Sequence, residues 1–151
     1  MAYALGSKSR QNLIGVHPRL IAVVERAIQI TSQDFTVFEG VRTPARQRLL
    51  FNAGKSKTLK SNHFVHADGF GHAVDLVPWV QGRAQWLWPE GYKIAQAMHV
   101  AADDLGVDLR WGGVWDRRLK ALDLDDLRGE VHAYAARHAG PDLLDAPHFE
   151  L

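Results

Sequence analysis

Two short stretches of this chain hold the residue types that metal chemistry needs. The first reads Ser61-Asn62-His63 and then, after a gap, Gly71-His72-Ala73-Val74-Asp75. The second is Asp145-Ala146-Pro147-His148-Phe149-Glu150, close to the last residue. Asp75 sits in an apolar run, Ala-Val-Asp-Leu-Val, whose alternation puts Ala73 and Asp75 on one face of a strand. A carboxylate there is costly to bury unless it is paired or holds a metal. The plainer alternative is an aspartate that caps a neighbouring loop. His148 lies between Pro147 and Phe149, and an apolar, histidine-bearing end implies a strand pinned into the core. Asp145, three residues earlier, can bring its carboxylate to the same centre. Two histidines and one carboxylate would leave an open zinc position for water, and a further carboxylate would supply a base.

The composition narrows the chemistry. The chain has 151 residues, eight histidines and no cysteine. Without thiols there is no disulfide and no thiolate metal site, so any zinc rests on histidine and carboxylate. The net charge is +1, with Lys and Arg scattered; the basic stripe of a nucleic-acid binder is missing. No window approaches the ~18 apolar residues of a membrane span. The N-terminal stretch lacks the apolar core of a signal peptide, so synthesis in the cytoplasm is expected.

Several elements must position these residues. Pro18 opens a helix over 18–30, with Leu20, Val23, Val24 and Ala27 at helical spacing. Residues 35–39 read as a strand. Thr43 and Pro44 start a second helix that stops at Gly54. Residues 55–71 read as a loop and 72–78 as a buried strand ended by Pro78. A third helix spans 91–105 and closes at Gly106; a short strand follows near 107–111; a fourth helix covers 123–138 despite Gly129. This order predicts one α+β domain, a small antiparallel sheet carrying the zinc site with helices packed around it.

Taken in order, these motifs resemble the zinc family of D-Ala-D-Ala carboxypeptidases and dipeptidases, and most closely the phage L-alanyl-D-glutamate endolysins. The likeness rests on Ser61-x-His63, Gly71-x-Ala73-x-Asp75 and Asp145-x-x-His148. Gly40-Val41-Arg42 with Gln47 and Gly54-Lys55-Ser56 extends it, as does Trp111-Gly112-Gly113. It covers the chain from about residue 12 onward. The resemblance implies His63, Asp75 and His148 as zinc ligands, Asp145 as the catalytic carboxylate, Arg42 as a stabiliser of the substrate carbonyl or oxyanion, and Ser61 as a residue supporting the ligands. It also implies peptidoglycan stem peptides as substrate, cleavage between L-Ala and D-Glu, a monomer, and release to the cell wall through a lesion made by a holin-like partner.

Two features depart from that pattern. Eleven residues separate His63 from Asp75, more than the family usually has, which leaves His66 as a rival first ligand; Ser61 favours His63. The stretch from Gly113 to Asp145 is also long and reads as a helical insertion over 123–138, either a cleft wall or a cover for the core. His72, His17, His99, His132 and His138 read as non-ligands. Trp86 and Trp88 read as packing residues, with sugar stacking as the alternative. Carboxypeptidase or dipeptidase chemistry, or a non-catalytic zinc-stabilised wall-binding module, are the competing functions.

Overall fold

In a computed structural model describing residues 2–56, 61–138 and 143–151, the sheet is built around strand β2 (Ala73–Val80), where eight residues alternate little and bury most side chains. On one side β2 pairs antiparallel with β1 (Phe35–Glu39), setting Glu39 opposite Asp75. On the other it pairs with β5 (His148–Glu150), setting His148 opposite Asp75. One row across the sheet thus carries Glu39, Asp75 and His148. A β-bulge between Val37 and Glu39 re-aims the end of β1 within that row. The short β4 (Arg110–Trp111) borders β5. The two-residue β3 (Arg83–Ala84) folds back on the end of β2 through Gln81 and Gly82, both at positive φ, as a tight hairpin turn requires.

Helices cover one face. In α2 (Pro18–Ile30), Leu20, Val23, Val24 and Ala27 are fully buried. They pack on α4 (Trp88–Leu105), whose Ile94, Met98 and Ala101 meet them in the main core cluster. The helix ends follow their sequence signals. His17 Nδ1 accepts from the Arg19 N–H, Thr43 Oγ1 accepts from the Arg46 N–H at the start of α3 (Pro44–Asn52), and Gly106 closes α4 at φ 65°. No helix among the described residues is long and apolar enough to cross a membrane.

The α+β architecture with its antiparallel sheet agrees with the sequence reading; several boundaries differ. Helix α1 (Ser7–Asn12) has no counterpart in that reading, because SKSRQN carries no apolar periodicity. β2 runs through Pro78 to Val80, since β3 adds a partner beyond the proline. α4 starts at Trp88, with Pro89 in its first turn and Gly91 against the Ala146 methyl. The fourth expected helix is shorter: α5 spans Leu127–Arg137, after a 3-10 turn at Leu119–Ala121. Asp126 Oδ1 caps α5 by accepting from the Gly129 N–H. A Cβ at residue 129 would lie 2.1 Å from Asp126 Oδ2, so the cap itself calls for glycine there. Leu127, Val131 and Tyr134 of α5 join the core cluster. Residues 57–60 of the expected 55–71 loop lie outside the described residues.

Candidate metal and catalytic site

His63 is held from several directions. Its Nδ1–H donates to the Gly40 carbonyl at 2.7 Å, its N–H donates to Ser61 Oγ at 3.1 Å, and its carbonyl accepts from the Arg42 N–H at 2.9 Å. The bond to Gly40 fixes the tautomer and leaves Nε2 as the free lone pair. Gly40 is needed for that approach: a Cβ there would fall 1.9 Å from the Asn12 carbonyl oxygen. The residue is 1% exposed, and its Nε2 has no hydrogen-bond partner.

Asp75 Oδ1 lies 3.4 Å from His63 Nε2 and 3.3 Å from His148 Nδ1. It too is buried without a hydrogen-bond partner, so these separations are electrostatic contacts. Asp75 Oδ2 lies 3.5 Å from the Arg42 guanidinium. Burial alone would raise the Asp75 pKa, but His148 and His63 outweigh it and hold the carboxyl well below the usual range.

His148 presents Nδ1 to this centre, while its Nε2–H donates to Glu150 Oε1 at 2.7 Å. Burial works against a charged imidazole here, yet Asp75 and Glu150 together push its pKa up to about 10. Glu150 Oε2 in turn accepts from Asn62 Nδ2 at 2.5 Å. One carboxylate therefore ties the segment before His63 to His148. The sequence reading missed Glu150. Its signal was the strand period: two residues after His148, it must share that residue's face.

One donor atom from each of His63, Asp75 and His148 lies within 4.8 Å of the others. An unpartnered buried polar atom costs ~1–3 kcal/mol, and His63 Nε2 and Asp75 Oδ1 are two of them, side by side. A divalent cation shared with His148 satisfies both. Each imidazole already gives its second nitrogen to an oxygen acceptor, as ligating histidines do. The donor set fits a metal. His66, the rival first ligand, instead stacks on His72 at 3.8 Å and 3°, and His72 Nε2 pairs with Asp68.

Asp145 opens onto the same cleft. The segment is anchored by Asp145 N–H to the Gly112 carbonyl at 2.9 Å, and the Asp145 carbonyl accepts from the His148 N–H. A Cβ at Gly112 would lie 2.2 Å from the Asp145 carbonyl oxygen, and one at Gly113 would enter the Trp111 ring. Gly112 thus lets the Asp145 backbone approach, and Gly113 leaves room for the Trp111 ring in the core. Desolvation by the cleft walls and the charge on Asp75 raise the Asp145 pKa, against the pull of His148, His63 and Arg42.

Arg42 is clamped. Its Nε and one terminal nitrogen donate to both oxygens of Glu39 at 2.8 Å, and the other terminal nitrogen donates to Gln47 Oε1 at 2.7 Å. The cleft holding all these groups measures about 1450 Å³. Its described lining includes Arg42, Asp75, Asp145 and His148 but nothing from residues 123–138. The other histidines stand apart: His99 bonds the Leu122 carbonyl, and His138 stacks on Tyr134.

A small α+β domain with a His-Asp-His centre and a second carboxylate in one cleft has the make-up of a metal-dependent hydrolase. The chain belongs to the phage L-alanyl-D-glutamate peptidase family, whose profile matches residues 1–151. It is 31% identical over 120 residues to the L-alanyl-D-glutamate peptidase of Escherichia phage T5, covering 77% of this chain and 84% of that one. The crystal structure of the Serratia marcescens L-Ala D-Glu endopeptidase ChiX matches 96% of this chain and 86% of its own, with a TM-score of 0.70 and 35% identity. The protein is therefore an enzyme of the L-alanyl-D-glutamate peptidase type, and the non-catalytic reading is set aside.

Proposed function

We propose that this enzyme hydrolyses the L-Ala–D-Glu bond of peptidoglycan stem peptides with a zinc ion held by His63, Asp75 and His148. The observation that carries the metal assignment is the pair of unpartnered buried atoms, His63 Nε2 and Asp75 Oδ1, beside His148 Nδ1. When bound there, zinc supplies a Lewis acid that brings the pKa of water toward ~7.

The chain's own groups do the rest. Asp145 accepts the proton of the attacking water and passes it to the D-Glu nitrogen as the C–N bond breaks. The products are an L-Ala carboxylate and a free D-Glu amine. Arg42, kept in place by Glu39 and Gln47, offers positive charge to the oxygen that becomes negative in the transition state. Glu150 and the Gly40 carbonyl orient the two imidazoles.

We read the chain as one peptidase domain, residues 1–151, with 123–138 as a helical insertion covering the core. It acts as a monomer in host lysis, reaching the wall after release from the cytoplasm by a holin-like partner. Clearing of a peptidoglycan suspension, measured with and without a chelator, tests the metal-dependent reading. Clearing that survives complete metal removal would reject it.

A further inference from the structure

The cleft is larger than one peptide bond requires. Its volume of about 1450 Å³ exceeds the ~300–1,000 Å³ that encloses a drug-sized ligand, and its lining mixes cations with exposed aromatic rings. Its lining includes the cations Arg46 and Lys55 as well as the clamped Arg42. It also includes Phe38 and Trp86, which are 46% and 58% exposed despite their apolar rings. These two rings meet edge-on, with centroids 4.9 Å apart at 79°. The Phe38 edge braces Trp86 while much of the indole stays open. Trp86 also borders the pocket formed by Leu144, Asp145 and Pro147, so it flanks the segment that bears the proposed base. Trp88, two residues on, packs on Tyr92 and the core instead.

The L-Ala–D-Glu reading gives the cations and the aromatic rings different partners. In peptidoglycan the L-Ala nitrogen is acylated by the lactyl group of muramic acid, so an uncharged pyranose lies just before the scissile bond. Beyond that bond, D-Glu carries a free carboxylate. Cations suit the carboxylate. A braced, exposed indole suits the C–H face of a sugar, because a large rigid ring offers contact area at little entropic cost.

We propose that Trp86, braced by Phe38, forms a subsite for the muramyl sugar in the wall of the cleft. The inference rests on the L-alanyl-D-glutamate peptidase reading. It makes the enzyme prefer glycan-linked stem peptides over free ones.

The test uses two soluble substrates, a disaccharide-linked stem peptide and the same peptide without sugar. For each, kcat/KM for L-Ala–D-Glu cleavage is measured with wild type, Trp86→Ala and Trp86→Phe. Wild type should prefer the sugar-bearing substrate. Trp86→Ala should cut that preference roughly tenfold, the scale of one lost ring stack, and Trp86→Phe should restore most of it. Equal loss on both substrates in Trp86→Ala, or a wild type without preference, would overturn the subsite alone. A wild type that cuts neither substrate at L-Ala–D-Glu would overturn the peptidase reading and the subsite with it.

Discussion

Replacing Glu150 by glutamine changes one oxygen to an amide nitrogen and should loosen the metal centre. In the native protein both Glu150 oxygens accept: Oε1 from His148 Nε2–H at 2.7 Å, and Oε2 from Asn62 Nδ2–H at 2.5 Å. A glutamine offers one carbonyl acceptor, and its NH₂ must face the other donor. One buried hydrogen bond disappears, and the survivor loses its charge. Hydrogen bonds to charged groups contribute ~1.5–3 kcal/mol, and ~1.4 kcal/mol is a factor of ten. Zinc affinity should therefore fall about 10- to 100-fold, the scale seen when the partner of a ligating histidine is removed. Competition against a chromogenic chelator measures this directly. At saturating zinc the turnover per loaded molecule should stay within a few-fold of wild type, which separates positioning from proton transfer. A zinc Kd within twofold of wild type would refute the argument, because His148 would then be oriented without Glu150.

Four further substitutions probe the remaining parts. Asp145→Asn should keep zinc content near wild type while the rate falls by roughly 10²–10⁴-fold; joint loss of zinc would make Asp145 a ligand instead. His63→Ala should abolish zinc binding by elemental analysis, whereas His66→Ala should leave it largely intact, because His66 is stacked on His72. Gly40→Ala places a methyl 1.9 Å from the Asn12 carbonyl oxygen. It should lower stability by about 1–3 kcal/mol in thermal unfolding and weaken zinc binding, since the Gly40 carbonyl orients His63.

Two residues of the site are legible in the sequence because each breaks a local rule; the roles of His63, Asp145 and Arg42 come from the family resemblance. Asp75 is a charge inside an apolar strand. His148 sits in an apolar chain end where fraying is usual. A loop-capping aspartate is the plainer alternative for Asp75, and the sheet instead places it opposite His148. Helices α2 and α3 are legible from apolar spacing and from Thr43, Pro18 and Pro44. What escapes depends on contacts between distant segments. Gly40 matters because Asn12 comes close to it. Gly112 matters because Asp145 does. Trp86 and Trp88 look like a pair in sequence, but β3 ends at Ala84 and α4 begins at Trp88, which sends one ring to the rim and the other to the core. The start of α4 lies three residues before the expected Gly91, because Pro89 is well tolerated in a first turn.

The central claim is the identity of the bond, and mass spectrometry of digested peptidoglycan tests it most directly. New D-Glu amino termini should appear with glycan strands intact, lost on treatment with a chelator and recovered on adding zinc. Release of free D-Ala, or new reducing sugar ends, would contradict it.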